Sequence, residues 1–173
     1  FLPLYFFQVL CLLCAPFRPA LAAQTMLIRV ASLSLMITVS IDEKNAVEKT
    51  IGVIASGGLA VLPTDTVYGI VGDATKEYII LKLFLLKKRS KKKPFSIFVR
   101  DIAMARRYAY ISDSKAKFLE KIWPGDIIAL AHHKEKLPSV LTAGGDSIGI
   151  RIPNHPFLQK LLSLIDYPLV QTS

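Results

Sequence analysis

The residues Leu59-Ala60-Val61-Leu62 form an unbroken apolar run between Gly57-Gly58 and the polar Pro63-Thr64-Asp65. The run is too short for a helix, and a strand with one wet face would alternate, so it predicts a strand covered on both faces. Such a strand belongs to a sheet with helices packed against it. Upstream, Val47, Ile51 and Ile54 recur at helical spacing, the two glycines read as a C-cap, and Ser40-Ile41-Asp42-Glu43 has the form of a capping box. Further helices are predicted over residues 75–88, 101–108, 112–122 and 156–165, with caps at Asp101 and at Ser112 or Asp113. Strands are predicted over residues 37–41, 66–71, 95–99, 127–131 and 147–152, and one more begins at Pro168. This alternation predicts an α/β (α+β) fold, a twisted mixed sheet, partly parallel, flanked by helices.

At 173 residues the chain fits one domain with a core of its own. Residues 1–35 are set apart: residues 1–17 carry no charge, and Ala20-Leu21-Ala22 resembles a signal-peptidase site, yet the chain opens with Phe and no basic n-region. A signal or organelle-targeting segment, a mistranslated upstream stretch and a fragment boundary all fit. Pro3, Pro16, Arg18 and Pro19 interrupt the stretch, which argues against a membrane span and a stable membrane association. Cys11 and Cys14 have the C-x-x-C spacing but no second pair, so neither a metal site nor a disulfide framework is expected and the body of the chain reads as cytoplasmic.

Three segments carry candidate chemistry. The first, residues 63–69, sets threonine hydroxyls between two strand patterns, which suits either an oxygen-rich ligand or a plain turn. The second follows from the net charge of +9, concentrated at Lys82, Lys87, Lys88, Arg89, Lys91, Lys92 and Lys93. A solvated face, a polyphosphate site and a double-stranded RNA or tRNA contact are all compatible with it. The third is Arg151, an arginine inside an apolar strand, which should meet either a structural carboxylate or an anionic ligand. His132, His133 and His155 lack metal-ligand spacing.

Taken in order, Leu62-Pro63-Thr64-Asp65-Thr66-Val67-Tyr68-Gly69, Lys87-Lys88-Arg89 with Lys93-Pro94, Trp123-Pro124-Gly125, Ile150-Arg151-Ile152-Pro153 with His155-Pro156, and Thr172-Ser173 resemble the YrdC-like family. The resemblance runs from about residue 36 to residue 173 and implies a YrdC-like domain cut short at its C-terminus. It implies an enzyme, a nucleotidyltransferase forming threonylcarbamoyl-adenylate from L-threonine, bicarbonate and ATP with Mg²⁺, whose product goes to the machinery that transfers threonylcarbamoyl to tRNA. On the matching positions, Thr66, Arg151 and Ser173 would hold threonine. Arg89, Lys93 and Ser147 would face ATP, with Lys87 and Arg89 as the catalytic cations and no protein-held metal. Phe98 stands where many members carry histidine, and Asp126-Ile127-Ile128 replaces the more usual Pro-Leu-Thr. The alternative reading is a non-catalytic RNA-binding module, or a divergent nucleotide-binding member, on the same fold. The carbamoyl-transfer domain of hydrogenase maturation factors shares the fold but carries zinc-finger cysteines.

Overall fold

The computed structural model describes residues 6–10 and 36–173. In chain order it comprises β1 (Phe6–Leu10), β2 (Met36–Ser40), α1 (Ala46–Ala55), β3 (Leu59–Leu62), β4 (Gly69–Asp73), α2 (Glu77–Leu86), β5 (Ser96–Phe98), α3 (Ile102–Tyr108), α4 (Asp113–Leu119), β6 (Ala129–His132), β7 (Ser147–Arg151), α5 (Pro156–Ser163) and β8 (Leu169–Thr172). The strands form one sheet in the order β2-β1-β3-β4-β8-β5-β7-β6. Only β5 and β7 run parallel; every other neighbouring pair is antiparallel. The expected mixed sheet is present, with its parallel part confined to one pair. Residues 6–10, set apart on sequence, pair with both β2 and β3. Cys11 and Cys14 lie outside the described residues.

Both faces of the sheet are packed, as the apolar run at β3 requires. Leu59, Ile97, Ile148, Ile150 and Val170 point to one side, where they meet Ile79, Ile80, Leu83 and Phe84 of α2, Met104 of α3 and Leu119 of α4. Ala60, Leu62, Val71, Phe98 and Leu169 point to the other, against Val47 and Ile54 of α1 and Phe157, Leu158, Leu161 and Leu162 of α5. α1 and α5 therefore cover the β3–β4–β8 part of that second face.

Three local expectations need correction. The Ser40–Glu43 pairing forms, with the Ser40 amide 3.3 Å from Glu43 Oε1, but it closes a turn. Glu43 is also held by Lys49 Nζ at 2.7 Å, and the helix starts three residues later at Ala46. The strand expected over residues 66–71 starts at Gly69 instead, because Thr64 Oγ1 accepts the Thr66 amide at 3.0 Å and donates to the Val67 carbonyl at 2.6 Å. A threonine hydroxyl thus bends the chain where the apolar pattern alone suggested extension. The strand expected from Ile127 starts at Ala129, since the Ile127 carbonyl accepts the Trp123 indole at 2.8 Å.

Helix ends follow the glycine pattern at α1. Gly57 has φ +84°, and the Gly58 and Gly57 amides reach Val53 and Ile54 carbonyls at 2.8 and 3.0 Å. α2 ends in the same paired geometry without a glycine: Lys88 takes φ 47°, and the Arg89 amide bonds the Phe84 carbonyl at 3.0 Å. This turn launches the basic loop.

Candidate anion-binding site

Strand register decides which candidate residues share a face. Ser96 of β5 lies opposite Gly149 of β7 and Gln171 of β8, while Phe98 lies opposite Arg151 and Leu169. Side chains alternate along a strand, so Ser147, Gly149 and Arg151 face the same way, with Ile148 and Ile150 turned into the core. His132 and Leu130 of β6 continue these rows beside Ser147 and Gly149. The β5–β7–β6 part of this face holds a cavity of about 520 Å³ lined by Pro94, Phe95, Ser96, Ile128, Ser147 and Gly149, among others. Gly149 keeps its floor close-packed: a Cβ there would lie 3.1 Å from both Ile128 Cγ2 and Ser96 Cβ, so either neighbour would have to give by a few tenths of an ångström.

Arg151 resolves its two readings in favour of a carboxylate partner supplied by the protein. Its side chain is 7% exposed and pairs through Nη2 with Asp65 Oδ1, whose own side chain is 14% exposed. Nε donates to the Gly125 carbonyl at 2.7 Å, Nη1 reaches Thr66 Oγ1 at 3.5 Å, and the guanidinium lies 5.8 Å from the Phe98 ring centre. Asp65 Oδ2 also accepts the Asn154 amide at 3.0 Å. Burial raises the Asp65 carboxyl, yet the Asn154 amide and the Arg151 guanidinium outweigh it and hold the group below the usual carboxylate range. The structure thus joins the residue 63–69 turn to the end of β7. Asp65, absent from the candidate residues, is the residue that does so; the available signal was a carboxylate inside Thr64-Asp65-Thr66 and, far along the chain, an arginine in an apolar strand that called for one.

The basic loop is less unified than its sequence suggests. Lys82 stands apart, donating to the Gly57 carbonyl at 3.0 Å and lying over Tyr78. Arg89 turns onto its own loop, with Nε 3.3 Å from the Lys93 carbonyl, Nη2 3.0 Å from the Pro94 carbonyl, and the Phe95 ring 5.0 Å away. Lys87 and Lys93 are exposed on either side of it. This loop delivers Pro94 and Phe95 to the cavity rim shared with Ser147. Ser173 follows β8, whose Thr172 pairs with Ile70, so it stands at the Gly69 end of β4. Thr66 and Arg151 are in contact; Ser147 lines the neighbouring cavity, while Arg89 and Lys93 are not among its lining residues and reach it only through Pro94 and Phe95, which follow them.

His155 stands at the N-cap of α5 but its side chain makes no capping hydrogen bond. Its Nδ1 is buried with no hydrogen-bond partner, and burial lowers its basicity against the opposing charge of Asp65. Among the described residues no group of three or more His, Cys, Asp or Glu is placed to hold a metal, and no helix is long and apolar enough to cross a membrane. A larger cavity of about 710 Å³ lies among α3, α4 and α5, lined by Arg100, Asp101, Glu120 and Gln159, and holds none of the candidate residues. Volume alone would favour it, but Arg100 there is already paired with Asp101 and Asp166.

Fold and site together define an α+β domain with a mixed sheet flanked by helices and a candidate ligand-binding face on β7. The chain matches the Sua5_yciO_yrdC family, described as Telomere recombination, over residues 52–173, and it belongs to that family. A protein of Methanocaldococcus jannaschii is 37% identical over 120 residues, covering 69% of this chain and 56% of that protein. The threonylcarbamoyl-AMP synthase of Pyrococcus abyssi is 31% identical over 123 residues, covering 70% of this chain and 36% of that protein. Among solved structures, P. abyssi Sua5 complexed with L-threonine superposes with a TM-score of 0.70 at 29% identity, over 73% of this chain and 38% of that one. The chain spans about half the length of the curated relatives it matches.

Proposed function

We propose that the protein carrying this chain is a threonylcarbamoyl-AMP synthase. The observation that carries the reading is the shared face of β7: a buried, anchored arginine beside a threonine hydroxyl at one end, and at the other an open cavity rimmed by Ser147 and by Pro94, the residue that closes the basic loop. Four residue steps along β7 carry the chain from Ser147 to Arg151, roughly 13 Å, which suits an amino acid and a triphosphate laid side by side. The relatives named above support the same reading, one by its name and one by the L-threonine in its structure.

In this reading Arg151 Nη1 pairs with the threonine carboxylate while Thr66 and Ser173 bind its polar groups. Arg89, Lys93 and Ser147 hold the ATP phosphates, and Lys87 adds positive charge beside them. The threonine amine captures bicarbonate as a carbamate with loss of water. A carbamate oxygen then attacks the α-phosphorus, and pyrophosphate leaves with its bonding electrons. No side-chain nucleophile is needed, so these residues act by positioning and by neutralising charge. Mg²⁺ belongs to this scheme as the partner of ATP, with phosphate oxygens as its ligands. The adenylate would pass to the machinery that modifies tRNA, in the cytoplasm where ATP and bicarbonate are supplied.

The test is pyrophosphate release from Mg-ATP by the full-length protein. Release that requires threonine and bicarbonate together supports the reading. Release that proceeds without threonine contradicts it.

A further inference from the structure

We propose that Asp65 is the positioning residue of this site: it fixes the Arg151 guanidinium so that one nitrogen, Nη1, is presented to the amino-acid carboxylate. The inference rests on the threonine reading above. Each Asp65 oxygen has its own partner on a different part of the chain, Oδ1 on Arg151 Nη2 and Oδ2 on the Asn154 amide 3.0 Å away. Arg151 Nε is held in turn by the Gly125 carbonyl at 2.7 Å. A planar guanidinium bonded at two of its three nitrogens cannot swing, so the direction of the third is set by the protein.

That third nitrogen is the one beside Thr66, at 3.5 Å from Oγ1, longer than a firm hydrogen bond. A carboxylate arriving there would find a cation already aimed at it, with the Thr66 hydroxyl, which otherwise bonds Thr64 Oγ1 at 3.0 Å, beside it. Burial makes the anchor necessary, because a guanidinium 7% exposed against the Phe98 ring would be costly without a counter-charge. The same counter-charge gives selectivity. With Asp65 ionised beside Nη1, a singly charged carboxylate is accepted more readily than a multiply charged phosphate, which keeps the triphosphate at the other end of β7.

The experiment compares wild-type protein with Asp65→Asn and Asp65→Glu. Asp65→Asn keeps the size of the side chain and removes its charge; Asp65→Glu keeps the charge and misplaces it by one methylene. Expected for Asp65→Asn are a threonine KM raised about tenfold or more, an ATP KM within about twofold of wild type, and inorganic phosphate newly competing with threonine. Asp65→Glu should recover resistance to phosphate while keeping a raised threonine KM. An unchanged threonine KM, or both KM values rising together without phosphate competition, overturns the proposal. A crystal structure of the wild-type protein with L-threonine tests it without any variant. The expected result is Asp65 still on Nη2 with the ligand carboxylate about 3 Å from Nη1. A carboxylate that has displaced Asp65 from Arg151 overturns the proposal. Wild-type protein that binds no threonine at all overturns the threonine reading itself, an outcome distinct from a bound threonine that ignores Asp65.

Discussion

Ser147 and Arg151 occupy the two ends of one five-residue strand with their side chains on the same face, the first exposed and the second buried. A β-strand is stiff, so it holds the two groups at a fixed spacing that no loop could guarantee. The buried end suits a ligand that must be oriented once and held. The exposed end suits a larger one that enters and leaves through solvent.

Gly149 lies midway between them and predicts the first outcome. Its added Cβ would press on Ile128 and Ser96 at 3.1 Å, inside the cavity floor. Gly149→Ala should cost about 1 kcal/mol of stability and weaken ATP binding more than threonine binding. Calorimetric titration with each ligand checks this; an ATP affinity equal to wild type would remove Gly149 from the nucleotide floor.

Removing Arg151 should be felt in the fold as well as in the site. Arg151→Ala leaves the Asp65 carboxylate, 14% exposed, without its partner, and loss of one member of a buried pair costs roughly 3 kcal/mol. Arg151→Lys keeps the charge but cannot make the Gly125, Asp65 and Thr66 contacts together. Urea unfolding should rank wild type above Arg151→Lys above Arg151→Ala, with threonine binding lost in both variants. Full threonine affinity in Arg151→Lys would refute the fork geometry.

Acid should weaken the protein through His155. Burial holds its folded-state pKa below the ordinary value of 6.5, so the unfolded chain binds the proton more readily. The stability it contributes is complete above pH 6.5 and is lost as the pH falls from there through the folded-state value. The urea midpoint of wild type should therefore drop more steeply between pH 7 and about pH 5.5 than that of His155→Gln. Parallel curves would show that His155 is not the titrating group.

The basic loop separates structure from binding. Arg89→Ala removes two contacts to loop carbonyls and the stack on Phe95, so it should lower stability by about 1 kcal/mol and ATP affinity by at least about tenfold. Replacing the exposed Lys91 and Lys92 with alanine should leave folding untouched and only reduce the salt dependence of ATP binding. A loss of ATP affinity as large as that of Arg89→Ala would move the phosphate contact outward along the loop.

The sequence made much of this architecture readable, for reasons that differ from element to element. The unbroken run at Leu59 to Leu62 announced a strand buried on both faces because no polar residue relieved it. Asp101 and Ser112 announced their helices because their side chains do accept from Met104 and Lys115 amides. The turn at residues 64–67 was hidden because Thr64 bonds its own neighbours, which hydrophobic patterning does not record. Asp65 escaped for a related reason: its partner Arg151 is 86 residues away, and only the register of β7 brings them together. The run of lysines overstated the site, since Lys82 serves the end of α1.

Two ligands on one face is the claim on which the rest depends, and calorimetric titration of Mg-ATP into protein already saturated with L-threonine tests it most directly. Both ligands should bind together, one of each per chain, and Arg151→Ala should abolish threonine binding while ATP binding survives. ATP that displaces threonine, or an Arg151→Ala protein that folds but binds neither ligand, would contradict the claim.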